Sequence, residues 1–508
     1  MWIQSIVSNF FNIAQRYKNE IAIIEQDNIV YFSQLFNMSY SIADMIINIH
    51  DNINSIIAVY LPKSSFAIIS DIGILMSGNA FMNLDINAPI NRIKNILSEI
   101  KPKIIITDIK YNIKLSELNI NYYHIIYIND IDINSINNTI NYIKDRLSSI
   151  IDTDIMCLVN TSGSTGKPKA VALTHKNYID FYEWATSNFD FKRYDIIGSQ
   201  SPIFFDHFNF ELCLLMIKGV KICIIPESMM AYPIKLLEYI KNKNVSFIFW
   251  VPFLLATISN LDLLNNIKLT SLKMVWFAGE VLHPKHINYW MSKNSNVKFV
   301  NLYGPTECSV DCTYYQINNL IDSDSIPIGK PCRNTNVIII NDNNQETSYD
   351  EKGELIIRGS SLAAGYYNNF DQTRISFVQN PLNNSYPEIV YKTGDIVYKR
   401  KDGNIMFVGR KDNQIKHMGY RIELGEIEQA ALSISFIKNV CVVYNQQEKE
   451  IVMFFESANK LESKELWVHL MQLLPKYMLP TKYIQLEKIP TNPNGKIDRN
   501  YLANSIKK

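Results

Sequence analysis

With 508 residues, 47% of them hydrophobic and 19% charged, the chain has enough apolar material for large buried cores and for more than one domain, which excludes a disordered protein. Fifty basic residues against 49 acidic ones leave a formal charge of +1, so no general electrostatic field recruits nucleic acid or an anionic membrane. Specific binding must come from local sites.

The first twenty residues place Ile3, Ile6, Val7, Phe10, Phe11, Ile13 and Ala14 near helical spacing without a cationic leader, which predicts a packed amphipathic helix. Up to about residue 330, β-branched runs such as SIIAVYL (55–61) and KIIITD (103–108) alternate with longer helical stretches. That alternation predicts α/β layers around mainly parallel sheets. The most apolar run, Val245 to Ile258, is shorter than a bilayer span and contains Pro252, so it reads as a buried strand followed by a helix, and no transmembrane segment is expected.

From Gly353 the texture changes to short strands and tight turns, with Asp402-Gly403 as a hairpin signal. Two strand-like runs, NVCVVYN and EIVMFFES, and a helical SKELWVHLMQLLP follow in a smaller α/β segment. Seven cysteines (157, 213, 223, 308, 312, 332 and 441) are scattered through apolar stretches, an odd count without framework spacing. Reduced, mostly buried thiols and a cytoplasmic setting fit that pattern.

The stretch NTSGSTGKPKAVALTH, Asn160 to His175, packs Gly163 and Gly166 with hydroxyls and lysines directly after a buried-strand pattern, IMCLVN. Glycines let a backbone approach a ligand closely, and successive N–H groups and hydroxyls surround phosphate oxygens. The spacing differs from a Walker P-loop, because only two residues separate the glycines and Pro168 follows Lys167. Taken alone, the stretch is either a phosphate-binding loop or a flexible surface turn.

Five further stretches accompany it in fixed order: NLYGPTE (301–307), GELIIRG with AAGYYN (353–368), YKTGD (391–395), GRKDNQIKHMGYRIELGEIE (409–428) and NPNGKIDR (492–499). Together with the loop they resemble adenylate-forming enzymes: acyl-CoA synthetases, luciferases, adenylation domains of nonribosomal peptide synthetases and D-alanine:carrier-protein ligases. The resemblance covers nearly the whole chain. It implies a large N-terminal α/β core with a β-barrel-like subdomain over residues 1–411, and a small mobile C-terminal α/β domain over 412–508 with Asp412 at the hinge.

The reaction implied has two halves. A carboxylate attacks the α-phosphate of ATP with release of pyrophosphate, and a thiol then captures the acyl-adenylate, so cationic and N–H-rich elements must converge on one site. By resemblance, Thr161, Ser162, Gly163, Ser164, Thr165, Gly166 and Lys169 hold the phosphates, and Gly279 and Glu280 lie on the nucleotide side. Tyr303 stacks on adenine with Asn301 at its polar edge, Thr306 contacts the α-phosphate, and Glu307 helps hold Mg²⁺. Asp395 accepts from both ribose hydroxyls, and Arg410 approaches the ribose and phosphates. Lys496, twelve residues before the end, bridges the substrate carboxylate and the α-phosphate, a task suited to a long stem that arrives for one half-reaction and leaves for the other. Read singly, these are a YGPT turn with a structural glutamate, ordinary surface charges and a solvated lysine.

Within SPIFFDHFNFELC (201–213), Asp206 matches the aspartate that peptide-synthetase domains pair with a substrate α-ammonium group. A carboxylate in so aromatic a setting is costly unless it meets a cation, which favours an amino acid over a fatty or aryl acid. The alternative is a helix N-cap. Matching pocket positions are His207, Phe210, Trp276, Ala278, Leu302, Gly304, Val310 and Asp311; bulky walls restrict depth, and Asp311 suits a polar or cationic side-chain tip.

Cys308 with Cys312 and His283 with His286 read as structural pairs, so no metal beyond Mg²⁺ is expected. Two departures from the family pattern are Met418, where peptide-synthetase domains commonly carry arginine, and Ala170, where glycine is usual. The short tail IDRNYLANSIKK predicts that a phosphopantetheine carrier protein acts in trans, with free coenzyme A as the alternative acceptor. An acyl-CoA ligase for a non-amino acid and a non-catalytic nucleotide-binding protein are the competing functional readings.

Overall fold

Helix Ile6–Arg16 buries Ile6, Val7, Phe10 and Ala14, the i, i+4, i+8 stripe expected of its sequence, while Asn9 and Asn12 lie on the more open side. In the computed structural model, residues 5–118, 123–131, 140–163, 168–457, 461–491 and 497–506 are described. The chain divides into two compact units: residues 1–85, 101–159 and 170–411 form one, and residues 86–100, 160–169 and 412–508 form the other.

In the first unit a nine-stranded sheet runs in the order Lys330–Pro331, Thr313–Ile317, Lys298–Tyr303, Met274–Phe277, Phe247–Trp250, Ile196–Ser199, Lys221–Ile224, Ile21–Glu25 and Asn28–Tyr31. Its interior pairs are parallel, and antiparallel strands close both edges. The apolar run at 245–258 folds as expected, into strand Phe247–Trp250 and helix Pro252–Asn260 with Pro252 at its first turn, where the missing N–H costs nothing.

A seven-stranded sheet runs in the order Gly365–Tyr366, Lys169–Thr174, Ile155–Thr161, Ala80–Asn83, Ile56–Tyr60, Ile104–Thr107 and His124–Tyr127. Its central strands are buried throughout, which is why they read as continuous apolar runs rather than alternating ones. Thr335–Ile340, Lys352–Gly359, Ile389–Lys399, Phe377–Gln379 and Ile405–Arg410 build an antiparallel sheet. The hairpin expected at Asp402-Gly403 joins Ile389–Lys399 to Ile405–Arg410, with Gly403 at φ 83°.

The second unit holds the two-stranded ribbon Gln414–His417 and Tyr420–Glu423 and the three-stranded sheet Ile437–Asn445, Glu450–Ser457 and Lys482–Gln485. Met418 and Gly419 turn the ribbon, both at positive φ, and Met418 is half exposed. The helix expected within SKELWVHLMQLLP spans Ser463–Met471. All seven cysteines are buried free thiols. No described helix is long and apolar enough to cross a membrane.

Candidate active site

Strands Ile196–Ser199, Phe247–Trp250, Met274–Phe277 and Lys298–Tyr303 are parallel neighbours, so their C-terminal ends share one edge of the nine-stranded sheet. Ligands of open α/β sheets bind at that edge. The segments that leave it carry Asp206, Ala278, Gly279, Glu280 and Gly304 to Asp311.

Pairing aligns Phe249 with Trp276 and Trp276 with Val300, so alternation places Trp276 and Ala278 on the same face as Val300 and Leu302. Phe210, on helix Asp206–Cys213, stacks parallel on Trp276 with ring centroids 5.6 Å apart. Phe249 packs edge-on against Trp276 at 5.6 Å and stacks on the His207 ring at 4.3 Å. Phe249 escaped the sequence reading. Its signal was the FIFW alternation, in register with the next strand.

Asp206 is the first residue of its helix rather than the N-cap, which is Phe205, and its Oδ1 accepts from the His207 N–H at 3.0 Å. It is 7% exposed. His207 Nε2 lies 3.6 Å from Asp311 Oδ2. Burial opposes protonation of His207, but Asp311, Asp206 and Glu211 outweigh it and raise its pKa above the usual imidazole value.

Glu211, one turn further along the helix, was likewise missed from sequence. It accepts from the Ser199 hydroxyl, and burial holds its pKa up while Lys63 and His207 oppose that. Lys63 donates to the Ser201 carbonyl at 2.6 Å and sits 5.7 Å over the Phe208 ring, and burial lowers its pKa despite Glu211 and Glu227.

The turn carrying Asp311 is strained. Ser309 has φ 53° and Val310 φ 60°, the latter unusual for a β-branched residue. Gly304 lies against this turn so closely that a Cβ would come within 2.4 Å of Asp311 Cα, so only glycine fits there.

Tyr303 ends its strand with the hydroxyl donating to Asp395 Oδ2, while Arg410 Nη1 donates to Asp395 Oδ1 at 2.6 Å and Nη2 to the Thr393 carbonyl at 3.1 Å. Burial, with Asp395 beside it, pushes the Tyr303 pKa well up. Two carboxylate oxygens offer about four acceptor directions, so Asp395 retains room for a vicinal diol. Asn301 donates to the Pro327 carbonyl at 2.7 Å. Gly279 adopts φ 99° with nothing within 4 Å of where a Cβ would stand, leaving its backbone approachable. Glu280 accepts from the Phe253 N–H at 3.2 Å and thereby caps helix Pro252–Asn260.

Thr306 and Glu307 lie in the short helical turn Thr306–Cys308. Glu307 is fully buried, and its Oε1 accepts from the Tyr366 hydroxyl at 2.7 Å. No cluster of three metal-ligating side chains occurs among the described residues. One carboxylate nevertheless suits Mg²⁺, which takes most of its ligands from phosphates and water. His283 caps helix Pro284–Lys293 through Nδ1, a structural task.

In the second unit, Ser162 donates to the Arg421 carbonyl at 2.8 Å, and Thr161 to the Lys169 carbonyl at 3.5 Å. The Glu426 carboxylate accepts from the Gly163 N–H and pairs with Arg92, but burial dominates and raises its pKa. The Gly163 N–H therefore meets a carboxylate, an acceptor of the same kind as a phosphate oxygen. Asp412 accepts from the Gln414 N–H at 3.2 Å where the second unit's long C-terminal segment begins. Ser164, Thr165, Gly166 and Lys496 lie outside the described residues.

Residues 10–367 match the AMP-binding enzymes as a family. Zwittermicin A synthase ZmaJ of Bacillus cereus is 31% identical over 499 residues, 96% of this chain and 92% of that protein. Tyrocidine synthase 1 of Brevibacillus parabrevis is 29% identical over 98% of this chain, which spans only 45% of that synthase. In fold, the chain superposes on the Vibrio cholerae adenylation domain AlmE, solved with glycyl-adenosine-5'-phosphate, at a TM-score of 0.85 and 22% identity, covering 100% of this chain and 98% of the other.

Proposed function

This chain belongs to the AMP-binding enzymes, a family of adenylate-forming ligases, and on that premise we propose that it activates an amino acid with ATP as the aminoacyl-AMP and passes it to the phosphopantetheine thiol of a carrier protein. The observation that carries the amino-acid assignment is Asp206, a carboxylate 7% exposed at the start of a helix whose flanking residues Phe204 and Phe205 are aromatic. A buried carboxylate is stable there when a cation meets it, and a substrate α-ammonium group is such a cation.

In this reading the substrate carboxylate attacks the α-phosphorus, a P–O bond forms and the bond to pyrophosphate breaks. Asp395 holds the ribose diol, with Arg410 and Tyr303 fixing its carboxylate. Tyr303 offers its ring to adenine, and Thr306 its hydroxyl to the α-phosphate. The loop from Thr161 to Lys169 holds the departing pyrophosphate. Mg²⁺, when bound by Glu307 and the phosphates, would neutralise phosphoryl charge. Lys496 supplies the mobile cation between carboxylate and α-phosphate.

The carrier thiol then attacks the acyl carbon, a C–S bond forms and AMP leaves. An NRPS protein containing adenylation and PCP domains shares this fold at a TM-score of 0.83 and 22% identity, which supports a carrier as the acceptor. The test is ATP–pyrophosphate exchange across L-, D- and β-amino acids and simple carboxylic acids. An amino acid should dominate. A dominant fatty- or aryl-acid signal would establish an acyl-CoA ligase instead, and no carboxylate-dependent exchange at all would leave a nucleotide-binding protein.

A further inference from the structure

Around Asp206 the first unit collects three buried carboxylates and two cations: Asp206, Glu211 and Asp311 against His207 and Lys63. Each cation faces carboxylates of this group. His207 lies 3.6 Å from Asp311, and Lys63 balances Glu211. His207 also feels Asp206 and Glu211, so the three carboxylates together exceed the two cations by one negative charge, which a substrate α-ammonium group would balance. We infer that the compartment beyond Asp206 is electroneutral and selects an amino acid whose side chain is short, uncharged and hydrogen-bonding, such as a hydroxyl or a carboxamide. The inference rests on the amino-acid reading above and names its substrate class.

Charge excludes one set of candidates. A substrate with a cationic side chain brings a second positive charge to a site where Asp311 already faces His207, and an anionic one adds a fourth carboxylate to the three. Either leaves a buried charge unbalanced.

Size excludes another set. Phe210 and Trp276 are fully buried and stack on each other at 5.6 Å, with Phe249 closing against both Trp276 and His207. These rings pack on one another rather than around a deep slot.

Polarity decides what remains. His207 Nε2 lies 3.6 Å from Asp311 Oδ2, and a substrate hydroxyl or amide, which both donates and accepts, matches either member of that polar pair. An aliphatic side chain would desolvate the pair and return no hydrogen bond. The strained Ser309-Val310 turn, pressed against Gly304, fixes where Asp311 stands.

The experiment is ATP–pyrophosphate exchange with the full chain, comparing serine, threonine and asparagine with lysine, ornithine, aspartate, glutamate, leucine and phenylalanine. The short polar group should exceed every charged or large apolar amino acid by about tenfold or more. A leading signal from any of the charged or large apolar amino acids overturns this inference and leaves the amino-acid reading standing. Absence of any amino-acid signal overturns that reading itself.

Two variants make the charge argument separately testable. His207→Ala should move the ratio of ornithine to serine upward by about tenfold, and Asp311→Ala should do the same for aspartate to serine. The double variant His207→Asn with Asp311→Asn, neutral and close in shape, should return both ratios to within a few-fold of the parent. Unchanged ratios in folded single variants, judged by near-ultraviolet circular dichroism, overturn the inference; if a single variant does not fold, the parent panel and the double variant decide.

Discussion

Arg410 Nη1 donates to Asp395 Oδ1 at 2.6 Å, in a pair whose side chains are 13% and 5% exposed. Removing one member of a buried pair leaves the other as an uncompensated charge, at a cost of about 3–5 kcal/mol. Arg410→Gln is therefore expected to lower the melting temperature and to raise KM for ATP together. A variant with parental stability and a parental KM would show that Asp395 is held by other groups.

Asp206→Ala should behave in the opposite way. Without substrate, Asp206 is a buried carboxylate whose one described donor is the neighbouring His207 N–H, so its removal should leave the melting temperature level or raised. Amino-acid-dependent exchange should fall at least about 100-fold, the scale of losing a charge-assisted contact to the α-ammonium. Retained exchange with amino acids would assign the ammonium to another partner.

For Lys496→Ala the two half-reactions separate. Adenylate formation, followed by pyrophosphate exchange, should fall by about 100-fold or more, while transfer from chemically prepared aminoacyl-AMP to a carrier thiol should change only a few-fold. Equal loss in both would remove the mobile-lysine role.

Ser309→Gly is expected to stabilise the protein. The serine sits at φ 53° and its buried hydroxyl has no hydrogen-bond partner among the described residues. Relief of about 1–3 kcal/mol of strain and of a buried unsatisfied group exceeds the roughly 0.5–1 kcal/mol that glycine costs in chain entropy. Chemical denaturation should show a gain of about 1 kcal/mol or more. If that turn positions Asp311, substrate discrimination should weaken in the same variant.

His175 opens helix His175–Asn188 and is 4% exposed. Burial lowers its pKa from 6.5 to about 4, with Asp154 opposing. Between those values the unfolded chain binds more protons than the folded one, so stability rises with pH across this window and is lost as pH falls from 6.5 towards 4. The loss is on the order of 3 kcal/mol. His175→Gln should flatten the dependence of melting temperature on pH across that same range.

Legibility from sequence tracked how local each signal was. Helix Ile6–Arg16, the strand-then-helix at 245–258 and the 402–403 hairpin are written in spacing and turn chemistry over short stretches of chain. Motif order pointed to the adenylate-forming family. The pairing of His207 with Asp311 joins residues far apart in the chain and depends on two strained φ angles, which no composition pattern records. Lys63 and Glu211 look like ordinary surface charges in the sequence, and only folding reveals that they balance each other in a buried setting. Likewise, helix Ile90–Ile100 and the loop 160–169 join the second unit through partners such as Arg92 with Glu426 and Ser162 with Arg421, links between residues too far apart in the chain for a local pattern to record.

The seven buried cysteines acquire a meaning beyond packing once an activated acyl group is made nearby. Burial pushes the thiols of Cys157, Cys213, Cys223, Cys332 and Cys441 upward, so at neutral pH they are protonated as well as enclosed. An acyl-adenylate reacts with whichever thiolate reaches it first. With these five sulfurs protonated and enclosed, the thiol acceptor of the proposed second half-reaction would meet no competing thiolate from them.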